Sequence, residues 1–211
     1  MAKDDFTNGV WRTVGGRRIF IKDGEDLSTA MKNSGKFGNK KETQDFSKSK
    51  IKKTLYHGTG KDFENFESDK IGSTTGNDGL FGRGFYFTEN ENLAKDYIRD
   101  ESNNYAKKGY VFETKINMQK PFEWKSIKTE EEFNDFKNKM GFKDEGIKWN
   151  SNSKEIHTLT TKEAEREFSD KLKANGYDGI IYKYDKTTSE YVVFDNKQIK
   201  IIKRKEIEGR G

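Results

Sequence analysis

Apolar and polar positions divide this chain into a short patterned start, a stretch without pattern, and a long patterned remainder. Near the N-terminus, VWRTVGGRRIFIK reads as two strands joined at Gly15-Gly16, a two-residue hairpin turn. Trp11 and Val14 lie on one arm, and Ile19 and Ile21 share a face of the other. An isolated hairpin is marginal in water, so residues 1–34 are expected to be an extension that docks on something. Residues 35–53, GKFGNKKETQDFSKSKIKK, carry seven Lys and almost no apolar periodicity, and read as a basic, solvated linker.

Patterning resumes at Thr54. TLYHGT is a strand candidate ending in a glycine turn, and the glycine-rich stretch from Gly72 to Gly84 leads into the aromatic strand GFYFT. Asn90 to Tyr97 is expected to be a helix, with Leu93, Ala94 and Tyr97 at helical spacing. YVFETKINM is a further strand. TEEEFNDFKNKM is a helix whose Thr129 stands three residues before Glu132, a capping-box pattern. In TTKEAEREFSDKLKANG, the stripe Ala164, Phe168, Leu172 predicts a helix closed by Gly176. DGIIYKY, EYVVFD and QIKIIKR are strands, the last with Ile199 and Ile201 alternating with lysines. Antiparallel-looking strands with inserted helices predict an α+β fold. The main domain is placed at residues 54–206, with 207–211 as a tail. That tail, IEGRG, matches a protease-cleavage linker of the kind appended to expressed proteins as closely as it suits a native end.

Composition limits the function classes. The chain has 211 residues, of which 30% are apolar and 36% charged, with 16 Phe and 9 Tyr to supply core area. Lys and Arg outnumber Asp and Glu by 41 to 36, a mild excess that suits an anionic ligand or nucleic acid. There is no cysteine, which excludes a disulfide scaffold and a cysteine-based metal site. No His/Cys/Asp/Glu cluster has metal-ligand spacing, so no metal is expected. No run approaches the length of a membrane span, and the N-terminus lacks an apolar signal stretch, so no membrane partner is expected.

Three separated segments carry candidate chemistry. They are Tyr56-His57-Gly58-Thr59, then Gly82 to Thr88 with Ala94 and Tyr97, then Ser189 to Asp195 with Gln198-Ile199. Taken singly, each residue has a plain reading: His57 as a satisfied structural histidine, Tyr86 and Tyr97 as core aromatics, Glu190 as an exposed strand end. His157 reads as a surface histidine, and the glycines of the 72–84 stretch as a connector, since GxGxxG spacing is absent. Together they suit cleavage of the nicotinamide–ribose bond of NAD. Aromatic faces can grip a flat cationic ring. A preorganised carboxylate can stabilise the cationic sugar as the bond breaks. A glycine lets backbone approach a ligand without a Cβ in the way.

These segments resemble the H-Y-E group of ADP-ribosyltransferases, which includes the diphtheria-toxin catalytic domain and the poly(ADP-ribose) polymerases. YHGT is similar to the diphtheria-type first motif. GFYFTENENLAKDY is similar to the second, a Gly-aromatic-Tyr strand followed by a helix with a second Tyr eleven residues on. SEYVVFDNKQIKIIK resembles the polymerase third motif. With the strand DGIIY, the nearest likeness is to the transferase domain of phage and mobile-element polyvalent proteins, over about residues 54–203.

The resemblance implies a split pair of mainly antiparallel sheets around an NAD cleft, with NAD as substrate and no metal. It implies that His57 hydrogen-bonds a ribose hydroxyl, Gly58 backbone pairs with the carboxamide, and Thr59 touches a ribose. Tyr86 and Tyr97 would stack on the nicotinamide, and Arg83 would approach the phosphates. Glu190 would bind the 2′-hydroxyl and stabilise the oxocarbenium. Phe85 and Phe87 would point to the opposite face, into the core. At Ala94 the polymerases carry a Ser that bonds the carboxamide, and the diphtheria type carries Ala. The segment from Asn117 to Asn175 aligns with no motif.

The expected activity is mono-ADP-ribosyl transfer to a macromolecular acceptor, protein or nucleic acid, by a monomeric phage or bacterial effector delivered with the virion or secreted. An antitoxin or immunity protein is a candidate partner. The competing expectation is a basic nucleic-acid-binding module or a phage-head accessory without transferase activity.

Overall fold

The computed structural model describes residues 9–14, 17–30, 45–73, 79–100, 104–142, 146–158 and 161–208. The chain divides into two units, Met1–Thr43 and Gln44–Gly211. In the first, β1 (Gly9–Val14) pairs antiparallel with β2 (Arg17–Lys22), with Val14 opposite Arg17. That is the hairpin the pattern predicts. The Gly15-Gly16 turn and the side chains of Trp11, Val14 and Ile19 lie outside the described residues, as does most of the expected linker, 35–44.

The second unit starts ten residues before Thr54, the boundary expected from the pattern. Ser49 and Ile51 are buried in it. The Ser49 hydroxyl donates to the Ile116 carbonyl at 2.6 Å and accepts from the amides of Ile51 and Met118, each at 3.0 Å. The surrounding lysines hid these two anchor points from a reading of composition.

The elements of this unit in chain order are β3 (Leu55–Thr59), β4 (Phe85–Thr88), helix α1 (Glu91–Asp96), β5 (Lys108–Ile116), β6 (Pro121–Glu123) and α2 (Glu130–Met140). Then come β7 (Ile147–Asn150), β8 (Glu155–Thr158), α3 (Lys162–Ala174), β9 (Gly179–Lys183), β10 (Ser189–Val193) and β11 (Ile199–Glu208). Seven strands form one sheet in the order β11-β5-β3-β4-β10-β9-β6, and β7-β8 form a separate hairpin. All neighbours in the sheet run antiparallel except β6, which is parallel to β9. This is the mainly antiparallel α+β architecture expected. The expected split is a thin joint in a continuous sheet. β3 and β4 share the single register pair Tyr56↔Thr88, whereas β4 and β10 are registered from Thr88↔Glu190 to Phe85↔Val193.

Side chains alternate across the sheet into two cores. On β10, Val192 faces the cluster of Phe122, Trp124, Phe168, Leu172 and Ile180, while Tyr191 and Val193 face that of Leu55, Phe66, Phe85, Phe87 and Ile116. A strand buried on both faces reads as a continuous apolar run, as EYVVF does. Helix α3 closes the first core with Phe168 and Leu172, both fully buried. Its start is capped by Thr161, whose hydroxyl accepts from the Ala164 amide at 3.2 Å. Thr129 caps α2 in the same way, but the Glu132 carboxylate reaches the Lys128 amide at 2.7 Å, one residue before the position a capping box would use. β6, β7 and β8 fall in the segment with no recognisable motif. Each is three or four residues long, too short to show a period.

Candidate active site

A cleft of about 880 Å³ opens beside the thin β3–β4 joint. His57, Gly58 and Thr59 from β3, Tyr86 from β4, Ala94 and Tyr97 from the α1 region and Glu190 from β10 all line it. Pockets of roughly 300–1,000 Å³ hold small ligands and cofactors. Of the residues expected at the site, Arg83 alone is not in the lining. Its guanidinium donates to the Ser68 carbonyl at 3.0 Å, and its amide donates to the Glu165 carbonyl at 3.1 Å, which ties the loop before β4 to α3.

His57 bridges the joint. Its Nδ1 lies 2.8 Å from the Tyr86 carbonyl oxygen. A carbonyl can only accept, so Nδ1 carries the proton and Nε2 keeps its lone pair in the neutral ring. Where the sheet ladder thins, this imidazole supplies the cross-strand bond. Phe66 meets the ring edge-on at 5.1 Å and Phe87 packs at 5.5 Å. Burial among these rings pushes the imidazole below its ordinary 6.5, partly offset by the bond to Tyr86, so the ring is neutral at pH 7.

Below pH 6.5 the unfolded chain binds a proton that folded His57 does not. Stability is therefore fully present above 6.5, falls with pH below it, and levels off beneath the folded value. Thermal unfolding followed between about pH 7.5 and about pH 5.5 should lose more stability in the wild type than in His57→Gln. Equal slopes would remove His57 from the acid response.

Tyr86 is held by the glycine stretch that precedes it. Its hydroxyl donates to the Gly82 carbonyl at 2.7 Å and accepts from the Phe81 amide at 2.9 Å. Gly79 has φ +112°, and a Cβ there would stand 2.2 Å from the tyrosine ring. Residues 79–82 are thus a seat for Tyr86, where the composition suggested only a connector; 74–78 lie outside the described residues. Burial raises the Tyr86 phenol well above its ordinary pKa, so it stays neutral. Phe85 and Phe87 point to the opposite face, as alternation predicts.

Glu190 is 4% exposed. Its Oε1 accepts from the Tyr97 hydroxyl at 2.6 Å and its Oε2 from the Tyr184 hydroxyl at 2.8 Å. Burial pushes both phenols up, and the Glu190 charge and hydrogen bonds add to the rise. Both are nearly half exposed, at 46% and 45%, so solvent screening tempers this, but each remains a donor at neutral pH.

Gly58 owes its identity to packing. A Cβ there would stand 1.7 Å from the Ala94 carbonyl oxygen, so β3 meets the backbone of α1 at this point. The missing Cβ makes room for this helix contact. Ala94 itself is buried at 1%. Thr59 is buried, and its hydroxyl accepts from the Lys61 amide at 3.2 Å. Among the described residues, no group of three or more His, Cys, Asp or Glu side chains is placed to hold a metal ion. His157 is exposed on β8.

Residues from three distant segments therefore meet at one cleft. Residues 50–208 match the family described as ADP-ribosyltransferase in polyvalent proteins. The chain belongs to that family. It is an ADP-ribosyltransferase, with the transferase fold carried by the unit that begins at Gln44. No curated protein matches it.

The three motifs do not include Tyr184, which also lines this transferase's cleft. Tyr184 follows β9, its amide donates to the Thr188 carbonyl at 3.0 Å, and it lines the cleft beside Glu190. The signal was present. Tyr182 and Tyr184 are two residues apart at the end of one strand candidate, and the next candidate opens with Glu190. A hairpin across the two brings Tyr184 near the carboxylate.

Proposed function

We propose that this ADP-ribosyltransferase takes NAD as donor and transfers a single ADP-ribose to a macromolecular acceptor, protein or nucleic acid. The observation that carries the reading is the buried Glu190 carboxylate, held by two phenols in a cleft that His57 and Tyr86 also line. The nicotinamide ring lies against Tyr86 and Tyr97, whose faces attract a flat cation. Gly58 backbone pairs with the carboxamide, while Ala94 offers no side-chain donor for it. The lone pair on His57 Nε2 accepts from a ribose hydroxyl, and Thr59 lies along the same strand.

As the glycosidic C–N bond breaks, its electron pair leaves with nicotinamide and positive charge builds on the ribose. Glu190 accepts from the 2′-hydroxyl and faces that charge. A fixed anion in a partly dry site stabilises the oxocarbenium more than water does. The acceptor nucleophile then bonds to C1′, and its proton passes to Glu190 or to solvent. The acceptor is proposed to be a host macromolecule, which makes the chain an effector, with an antitoxin or immunity protein as its proposed partner.

The test is incubation with labelled NAD and a host lysate. Wild type should release nicotinamide and label a macromolecular fraction, and Glu190→Ala should do neither. Identical behaviour of the two would overturn the assignment. Binding to nucleic acid that falls steeply with salt and ignores NAD would favour a binding module instead.

A further inference from the structure

We propose that Tyr184 is a positioning residue that, opposite Tyr97, sets the plane of the Glu190 carboxylate. This rests on the reading of Glu190 given above. The two phenols approach from different elements: Tyr97 ends α1, and Tyr184 stands in the turn after β9. Each takes a different carboxylate oxygen, Tyr97 at Oε1 and Tyr184 at Oε2. Among the described residues, no Lys, Arg or His forms an ion pair with Glu190. The phenols are the groups that hold this buried charge.

The torsion that turns a carboxylate about its last bond is soft, with a broad two-fold profile. One donor leaves the group free to swing; two donors on opposite oxygens fix its plane. An ionised carboxylate offers about four acceptor directions, so the phenols leave others open to substrate. Tyr184 is itself buttressed. Its ring meets Tyr182 edge-on at 4.7 Å, and Tyr182 stacks on Phe81 at 4.2 Å. Beyond it the Asp185 carboxylate accepts from the amides of Thr187 and Thr188, which closes the turn. The division of labour is then clear. In the proposed complex the Tyr97 ring also faces nicotinamide, whereas the Tyr184 hydroxyl has Glu190 as its partner. Burial and the neighbouring negative charge keep that phenol protonated, so it donates and does not act as a base.

Tyr184→Phe keeps the ring contact with Tyr182 and removes the donor. With NAD as substrate, kcat should fall about 10- to 100-fold, the loss expected for one hydrogen bond to a charged group. KM should stay within about threefold and the thermal midpoint should hold. In a Glu190→Asp background, whose shorter carboxylate cannot bridge both phenols, the same change should cost less than about twofold. Infrared difference spectra give a readout independent of turnover. Tyr184→Phe should shift a carboxylate band, and the shift should vanish when both proteins also carry Glu190→Gln. An unchanged kcat, an equal penalty in the Asp background, or no band shift would each overturn the role. If wild type releases no nicotinamide yet the band shifts, the NAD reading falls while the Tyr184 contact stands.

Discussion

Glu190→Gln is expected to lower ADP-ribose transfer by about 10²–10³-fold or more, while NAD binding stays largely intact. The side chain keeps its volume and its place opposite Thr88 in the sheet register, so the cleft keeps its shape. What disappears is the negative charge. An amide oxygen can still accept from a ribose hydroxyl, so the ground state loses little. It cannot oppose the full positive charge of an oxocarbenium, so the transition state loses much. Stability should move the other way. A carboxylate at 4% exposure, held by neutral phenols, carries a desolvation cost that an amide avoids. The thermal midpoint should therefore hold or rise. Single-turnover nicotinamide release and calorimetric NAD titration check both halves. If Glu190→Gln loses NAD binding altogether, or melts well below wild type, then the residue is structural.

Gly58→Ala should be the most disruptive single-methyl change at this site. The added Cβ would stand 1.7 Å from the Ala94 carbonyl oxygen and 2.6 Å from its carbon. Both are backbone atoms, so no rotamer change relieves the clash. Overpacking typically costs about 1–3 kcal/mol, and sometimes more when only backbone can yield. Strand and helix must part by more than an ångström, and α1 carries Tyr97 to Glu190 at 2.6 Å. Misplacement on that scale costs about 100-fold in catalysis. Thermal unfolding and NAD turnover should both fall, and turnover should fall further than the folded fraction explains. A Gly58→Ala protein with wild-type melting and turnover would show that the backbone approach is loose.

Much of the site was readable because its motifs are local. YHGT, GFYFT and SEYVV are each one strand, and alternation within a strand tells which side chains share a face. His57, Tyr86, Tyr97 and Glu190 do line one cleft. Arg83 lies outside the cleft's lining with its guanidinium turned to the Ser68 carbonyl, although the glycines around it suggest an open loop. Tyr184 was passed over because its importance depends on a cross-strand neighbour. Ser49 and Ile51 anchor a stretch whose composition is that of a solvated tail, so composition alone does not reveal these contacts.

Sequence alone determined six strands of the main sheet, the three helices, the family and, of the cleft's lining, His57, Tyr86, Tyr97 and Glu190. All of these follow from periodicity or from short contiguous motifs. Tertiary structure alone decided that His57 bonds across the joint to Tyr86, that residues 79–82 seat the Tyr86 hydroxyl, and that Gly58 makes room for Ala94. Each of these is a contact between segments distant in the chain or set by loop geometry. Its distance depends on how the whole sheet packs, and no residue pattern along the chain encodes that.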